Sequence, residues 1–189
     1  MKKTDYEIRT ITKTTADIFL VQHGIPVRSG TRYYGLFHQN DLVGVAVFNS
    51  MSSQNTAKGC FGLDDTSQTG FYEVGRFVMD AAHEADAVPT WFLSECIERF
   101  RNELETKALF AYIDPVTENS TPFTENGFGC YGLTPKRSDF YEKLDDGSYK
   151  MHSRGKPQGV AGEWRPRPQK GRLLRIFDEN LTATWVKTS

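Results

Sequence analysis

The sequence predicts an α/β domain with a mixed, mainly antiparallel central sheet and flanking helices. Several short segments alternate apolar and polar residues and are separated by turn residues, which is typical of antiparallel strands. One amphipathic helix over residues 89–104 connects two apolar segments, and such a strand–helix–strand unit joins parallel strands. The chain has 189 residues, 38% hydrophobic and 25% charged, which is sufficient for one globular core.

The first half of the chain is predicted to contain a strand, a short helix and a hairpin. The helix has Thr14 or Thr15 as its cap, and the hairpin turns at Gln39-Asn40-Asp41. The predicted strands lie near residues 6–11, 32–38, 42–49 and 58–63, and the predicted helix covers residues 14–23.

The second half is predicted to contain the strand–helix–strand unit and several further strands. Gly75 lies inside its first strand and indicates a bulge or a close backbone approach. Pro89 suits the first turn of the helix. The predicted elements are strands at 71–80, 107–114, 129–135 and 172–177, helices at 89–104 and 121–128, a hairpin of 139–144 and 148–153, and an irregular segment at 153–171.

Positive charge is concentrated near the C-terminus. Residues 150–175 contain eight basic residues and one acidic residue, a net charge of +7, whereas the whole chain has a net charge of −1. This asymmetry indicates either a segment that binds a polyanion or a solvated, loosely ordered tail. We therefore distinguish a domain core, residues 1–149, from a basic C-terminal segment, residues 150–189, that packs on the same domain.

The cysteines and the hydropathy of the chain predict a cytoplasmic protein. Cys60, Cys96 and Cys130 lie far apart and form no Cys-x-x-Cys pair, which argues against a disulfide framework or a zinc site. The opening residues MKKTDYEIRT contain no apolar segment, so we predict no signal peptide. No run approaches the roughly 18 apolar residues of a membrane span, and we expect no membrane partner.

Four segments, taken in order, resemble the Mom family of bacteriophage DNA-modification proteins, which is built on the GCN5-related N-acetyltransferase (GNAT) fold. The segments cover roughly residues 20–177 and read YYGLFHQNDLVGVAVF, FYEVGRFVMD, YIDPVTENSTPFTENGFGCYGLT and KMHSRG…RPRPQKGRLLRIF. Two positions depart from the family pattern. Gly24 replaces a Tyr in a His-Tyr-Ser-like element, and Asn119 lies near a position where the family tends to have a His.

The resemblance implies a phage-encoded enzyme that acts in the cytoplasm of a bacterial host. Such an enzyme transfers a small acyl-derived group of the carbamoylmethyl type to the exocyclic N6 of adenine in double-stranded DNA and thereby blocks restriction enzymes. It also implies that residues 1–149 form an acyltransferase-like core, that acetyl-CoA or a related acyl donor is used, and that iron is bound.

Asp114 is the first candidate catalytic residue, because it follows an apolar strand and precedes Pro115. A carboxylate at this place either forms an Asx turn or faces a cleft, where it orients or deprotonates an amine or binds a metal. The resemblance favours the second interpretation and pairs Asp114 with His23 as candidate metal ligands. Tyr112 lies on the same strand face and is predicted to be catalytic or to form a pocket wall.

Arg76 and His23 are the other candidate catalytic residues. Arg76 lies within an apolar strand, where an unpaired guanidinium is costly, so its partner is Asp114, Glu73 or a ligand phosphate. His23 follows an apolar helix and is either a base or metal ligand or a packed residue.

The predicted donor-binding residues are Arg76, Val78 and Thr121, as the resemblance implies. A conventional acyl-CoA site holds the pyrophosphate on a glycine-rich loop that opens the central helix. Here this loop reads DAAHEADAVP, contains no glycine, and has Glu84 and Asp86 where an anion would lie. The loop therefore argues against conventional binding of acetyl-CoA.

The candidate contacts to DNA are basic or aromatic. Cationic side chains contact phosphates, an exposed Trp stacks on a base, and an extruded adenine requires an aromatic pocket. The predicted DNA-binding residues are Lys136, Arg137, His152, Arg154, Trp164, Arg165, Arg167, Lys170 and Arg172. The candidate pocket aromatics are Tyr33, Tyr34, Phe123, Phe128 and Tyr131.

These observations predict a DNA adenine modification enzyme. One alternative is an acetyl-CoA-dependent N-acetyltransferase that acts on a protein, a small amine or a hypermodified base. Another is a DNA-binding or nuclease-blocking module without catalytic activity. The sequence leaves the acyl donor, the metal, the DNA sequence preference and the oligomeric state open.

Overall fold

The computed structural model describes residues 5–64, 69–84, 87–152 and 155–188. The strands are β1 (Tyr6–Thr10), β2 (Arg32–His38), β3 (Asp41–Ser50), β4 (Phe71–Met79), β5 (Ala108–Ile113), β6 (Gly129–Leu133), β7 (Ser138–Lys143), β8 (Tyr149–His152), β9 (Gly162–Pro166) and β10 (Gly171–Ile176). The α-helices are α1 (Lys13–Gln22), α2 (Gln54–Phe61), α3 (Val88–Glu103) and α4 (Thr121–Glu125).

Seven strands form the main sheet in the order β1-β2-β3-β4-β5-β10-β6. Within this sheet only β4 and β5 are parallel, and α3 connects them. The mixed, mainly antiparallel sheet with flanking helices that the sequence predicts is thus confirmed. The parallel pairing of β4 and β5 at the centre of this sheet is short, and the two strands diverge beyond it.

Helices cover both faces of the main sheet. On one face, α3 buries Phe92, Cys96 and Phe100 against β2, β3 and β4, as its apolar stripe predicts. On the other face, α1 packs Phe19 and Leu20 against β3. The cap of α1 is Thr12, which accepts a hydrogen bond from the backbone N–H of Thr15. The helix therefore begins two or three residues earlier than a cap at Thr14 or Thr15 predicts.

The strand predicted for residues 58–63 is wrong, because this segment is the second half of α2. The helix begins after Ser53, whose side chain accepts a hydrogen bond from Asn55 N, and ends at Gly62 with a positive φ of 64°. Its buried residues Ala57 and Cys60 face the same side of the main sheet as α1. The short apolar run is therefore a buried helix face rather than a strand.

The basic C-terminal segment contributes to two sheets. The strands β7, β8 and β9 form a separate antiparallel sheet in the order β8-β7-β9, and β9 replaces part of the irregular segment predicted for residues 153–171. The strand β10 lies between β5 and β6 in the main sheet, where Leu173 and Leu174 are buried. Residues 171–176 are therefore core rather than a cationic tail. None of the helices in the described part of the chain combines the length and apolar character that a membrane span requires.

Candidate functional site

A cleft opens at the centre of the main sheet, where β4 and β5 diverge. The two strands pair only from Phe71 with Ala108 to Val74 with Ala111, although β4 continues to Met79. The cavity between them has a volume of about 440 Å³. It is lined by Ile25, Pro26, Val74, Gly75, Arg76, Phe77, Val78, Met79, Glu84, Pro89, Tyr112, Ile113, Thr117, Glu118, Asn119, Pro122, Phe123 and Lys170.

Gly75 forms a bulge at the point of divergence. Val47 lies opposite Arg76 and Phe48 lies opposite Val74, so Gly75 is the extra residue on β4. From the bulge onwards, residues 75–79 adjoin β3 on one side and, within the described part of the chain, no strand on the other. Backbone groups on that open side are available to a ligand in the cleft. The bulge that the sequence predicts at Gly75 is present.

The cleft passes from one face of the sheet to the other. Phe77 and Phe123 line it on the α3 side, where their rings contact each other. Arg76 and Tyr112 line it on the side of α1 and α2, because alternation along β4 and β5 places them on that face, and Lys170 lines it from the residue that precedes β10. A ligand in the cleft therefore contacts two chemically different halves, one apolar and aromatic and the other cationic.

The Arg76 guanidinium lies in the cleft without a carboxylate within ion-pair distance among the described residues. Its Nε donates to the carbonyl oxygen of Pro26 at 3.0 Å, and its Nη1 donates to the carbonyl oxygen of Gly75 at 2.6 Å. Burial lowers the pKa of Arg76, and the nearby positive charge of Arg28 adds to this effect. The two carbonyl groups fix the guanidinium, and the carboxylates of Glu118 and Glu73 attract it only from beyond ion-pair distance.

Glu73 is the centre of a buried polar network next to the cleft. Its Oε2 accepts hydrogen bonds from Ser52 at 2.6 Å and from Asn49 at 3.0 Å, and it forms an ion pair with Arg28. The Glu73 side chain is only 3% exposed. This network was not predicted from the sequence, because its members come from β3, β4 and the segments that follow α1 and β3. The polar residue pair Asn49 and Glu73 within two apolar strands is the signal that indicates it.

Tyr112 lies on the cleft wall, as one of its two predicted roles requires. Burial raises the pKa of Tyr112 to about 12, with a contribution from the negative charge of Glu73. The phenol therefore remains protonated at neutral pH. It can donate a hydrogen bond or a proton, and it cannot act as a base at that pH.

Asp114 does not line the cleft, in contrast to the orientation expected for a catalytic carboxylate. Its Oδ1 accepts hydrogen bonds from the backbone N–H of Val116 at 2.9 Å and of Thr117 at 3.4 Å. These bonds lower the pKa of Asp114, Val116 having the largest effect. The carboxylate thus forms the Asx turn that was its alternative interpretation, and Glu118 lines the cleft from the same loop.

His23 pairs with Asp80 rather than with Asp114. Its Nε2 lies 2.5 Å from Asp80 Oδ1, and its Nδ1 lies 2.8 Å from the carbonyl oxygen of Phe19. Among the described residues, no group of three or more His, Cys, Asp and Glu side chains is arranged to hold a metal ion. The residues present therefore do not fit the iron that the resemblance implies.

The predicted donor-binding residues are divided between the cleft and its surroundings. Val78 and Arg76 line the cleft, whereas Thr121 is exposed at the start of α4 and is not among the lining residues. The open edge of β4 and the neighbouring apolar wall fit an extended amide chain that ends in a thioester. The loop before α3 fits a pyrophosphate less well, since Glu84 lines the cleft at this place.

Several of the predicted DNA-binding residues have partners within the protein. Arg167 forms a two-pronged ion pair with the buried Asp139, and His152 Nε2 lies 2.7 Å from Glu142 Oε2. Arg165 lies over the Tyr149 ring at 4.0 Å and pairs with Glu163. Arg172 lies over the Trp185 ring at 4.3 Å. These four side chains primarily hold the C-terminal segment together.

The other predicted DNA contacts are accessible. Lys136, Arg137 and Lys170 are exposed, and Trp164 is 55% exposed. Arg154 lies outside the described residues. Of the candidate pocket aromatics, Phe123 lines the cleft, Tyr34 and Phe128 belong to the core, and Tyr33 and Tyr131 are half-buried.

Solved structures with the same architecture cover nearly the whole chain. A GNAT family acetyltransferase from Elizabethkingia anophelis with acetyl-CoA bound matches with a TM-score of 0.51 and 14% identity, over 93% of this chain and 100% of that chain. A ribosomal-protein-alanine N-acetyltransferase from Brucella melitensis matches with a TM-score of 0.54 and 12% identity, over 90% and 99%. The protein has the GNAT acetyltransferase fold.

A third structure with this fold is an IAA acetyltransferase from Bacillus cereus, with a TM-score of 0.53 and 12% identity over 91% of this chain and 99% of that chain. No protein-family model and no curated protein matches the sequence. At these identities the likeness establishes the GNAT fold of the chain and assigns no substrate to it.

Proposed function

We propose that the protein is an N-acyltransferase that transfers an acyl group from a CoA thioester to an amine. The observation that carries this proposal is the cleft between β4 and β5, with the bulge at Gly75 and the open edge of residues 75–79. A through-going cleft allows a donor and an acceptor to approach the reacting carbon from opposite faces. The GNAT fold and the acetyl-CoA bound in the Elizabethkingia anophelis structure support this choice of donor.

The transfer consists of three changes, and the protein can assist it in two ways. The amine nitrogen forms a bond to the thioester carbonyl carbon, the carbon–sulfur bond breaks, and a proton passes from the nitrogen to the departing thiolate. Backbone N–H groups on the open edge of β4 are suited to stabilise negative charge on the carbonyl oxygen. Tyr112 is protonated and lines the cleft, so it is suited to donate a proton to the sulfur.

Blocking the cleft tests this proposal. In Thr117→Trp an indole enters the cavity, whereas in the neighbouring Val116→Trp, at a residue 89% exposed, it points away from the lining. We expect acetyl-CoA to raise the melting temperature of the unmodified protein and of Val116→Trp, and not that of Thr117→Trp. The absence of any shift with acetyl-CoA or longer acyl-CoA thioesters in the unmodified protein would contradict the proposal.

For the acceptor, we propose the N6 amine of adenine in double-stranded DNA, as the resemblance to the Mom family implies. The exposed cations Lys136, Arg137 and Lys170 support this acceptor, since the last of them lines the cleft itself. The exposed Trp164 provides a surface on which a base can stack. An adenine must leave the duplex to reach a cleft of this kind.

Mass spectrometry of nucleosides from DNA of cells that express the protein tests this acceptor. We expect a modified deoxyadenosine, and its absence despite abundant protein would leave another amine as the acceptor. A module that only binds DNA is distinguished by the unmodified protein itself, which would bind DNA while no expression level yields a modified base. In both cases we expect Lys136→Gln and Arg137→Gln each to reduce the salt dependence of DNA binding by about one counterion.

A further inference from the structure

We propose that Arg76 and Lys170 form a subsite for an oxyanion, a carboxylate or a phosphate, that the acceptor carries near its reacting amine. The assignment to the acceptor rests on the proposed acyl transfer, whereas the anion site itself does not. The two cations line the same cavity, Arg76 from β4 and Lys170 from the residue that precedes β10.

The first argument is that the internal partners considered for Arg76 are occupied elsewhere. The Asp114 carboxylate is bound by the backbone N–H groups of its own turn. The Glu73 carboxylate is neutralised by Arg28. Glu118 and Glu73 attract the Arg76 guanidinium only from beyond ion-pair distance. A half-buried guanidinium without a directly paired carboxylate is costly, so its presence in the cleft indicates that a ligand supplies the paired charge.

The second argument concerns geometry. Carbonyl oxygens of Pro26 and Gly75 hold Nε and Nη1 of Arg76 at 3.0 and 2.6 Å. The guanidinium is thus fixed before a ligand binds, which lowers the entropy cost of binding. Nη2 has no hydrogen bond within the described residues, and Lys170 extends to the same cavity from the start of β10.

The third argument assigns the subsite to the acceptor. The N-terminus of α3 lies on the opposite face of the sheet, so a donor that reaches the open edge of β4 from the α3 side leaves the face of Arg76 to the acceptor. Arg76 lies on the face of α1 and α2, across the cleft from α3. The resemblance places Arg76 with the donor, but its face of the sheet places it with the acceptor.

The acidic groups in the cleft form no ion pair with the two cations of this subsite in the described structure. Glu84 precedes α3 and lines the cleft with Phe77 and Pro89. Glu118 Oε2 accepts a hydrogen bond from Asp114 N at 2.9 Å, and neither acid lies within ion-pair distance of Arg76 or Lys170 in the described structure. An anion at Arg76 is consequently attracted by two cations, and Glu118 remains available to attract the amine of the same acceptor.

Nuclear magnetic resonance of the arginine side chains tests the subsite without any catalysis. The Nε–Hε resonance of Arg76, assigned by its loss in Arg76→Gln, is followed during titration with inorganic phosphate and, separately, with acetate at constant ionic strength. We expect a saturating shift with at least one anion, and the anion that saturates identifies phosphate or carboxylate as the preferred group. Lys170→Gln should weaken the affinity at least tenfold, and Lys58→Gln, a change on α2 outside the cleft, should not.

Two results would overturn the proposal. If the chemical shift of Arg76 changes linearly with anion concentration and by the same amount as that of Arg101, at the far end of α3, the site binds an adventitious ion only. Displacement of the anion by CoA means that the subsite belongs to the donor. A third result would separate the two proposals. If the anion still saturates the Arg76 shift in the presence of CoA, but the protein transfers no acyl group to any amine, the anion site is retained and the proposed function is refuted.

Discussion

The side-chain Oδ1 of Asn49 occupies the space in which Gly75 would carry a Cβ atom. A methyl group at Gly75 would overlap this oxygen, which is buried and has no hydrogen-bond partner in the described structure. The same Asn49 amide donates to Glu73 at 3.0 Å and to the carbonyl oxygen of Ser50 at 2.7 Å. The bulge that opens the cleft and the network that surrounds Glu73 are thus joined through one side chain.

We predict that Gly75→Ala destabilises the fold by about 1–3 kcal/mol, because the overlap displaces Asn49 and its two hydrogen bonds. Chemical denaturation measures this change in the free energy of unfolding. The matched control is Gly59→Ala, on the exposed side of α2 where no atom lies within 4 Å of an added Cβ. It should stabilise the protein by about 0.5–1 kcal/mol.

A double-mutant cycle identifies the cause of that loss. If the overlap with Asn49 is responsible, Gly75→Ala should cost less in an Asn49→Ala background than in the unmodified protein. An equal cost in both backgrounds would show that the bulge itself excludes alanine.

We predict that Glu73→Gln destabilises the protein by about 2–3 kcal/mol, because it leaves the Arg28 guanidinium without its counter-charge. The value lies below that of a fully buried pair, since the Arg28 side chain is 29% exposed. Glu103→Gln is the control, because it removes the exposed ion pair with Arg32 and should cost about 0–1 kcal/mol. Equal losses in the two variants would mean that the Glu73 network contributes no more than a surface pair.

Two substitutions of Asp114 separate its role in the turn from a role in catalysis. Asp114→Asn retains an oxygen for the N–H of Val116, so it should preserve both stability and acyl transfer. Asp114→Ala should lower the melting temperature, because the hydrogen bonds to the N–H groups of Val116 and Thr117 are lost. If Asp114→Asn lowers the rate of acyl transfer by about 100-fold or more at unchanged stability, the result would instead support the catalytic carboxylate that the sequence predicts.

The stability of the protein should depend on the protonation of His23. Hydrogen bonding to the Phe19 carbonyl oxygen and to Asp80 raises the pKa of His23, the Phe19 contact having the largest effect. A raised pKa in the folded state means that protonated His23 stabilises the fold. This stabilisation is complete below the unfolded pKa of about 6.5 and disappears as the pH rises through the higher folded value.

The measurement is the difference in melting temperature between the unmodified protein and His23→Gln. We expect this difference to be larger at pH 5.5 than at pH 8.5. A difference that does not change with pH, or that grows under alkaline conditions, would show that His23 acts through packing against Phe19 alone, whose ring stacks on it at 4.1 Å.

Local patterns were sufficient to predict most of the fold. The apolar stripe of residues 89–104, the near-continuous apolar strand before Asp114 and the glycine within β4 each depend on the geometry of one element. The segment 58–63 was misassigned because a short apolar run does not distinguish a strand from a buried helix face. The cap that marks the helix, Ser53, lies five residues before the run and is not part of its local pattern.

The sequence by itself determined most of the strands and helices and which charged residues lie inside them, because hydrophobic periodicity is a local property. Only the tertiary structure decided the partners of those charges. Glu73 pairs with Arg28, and Arg167 pairs with Asp139. Arg76 lies in the cleft and has no ion-pair partner among the described residues. Coulomb and hydrogen-bond energies depend on distance in space, and that distance is fixed only when β4, β5 and β10 come together in one sheet.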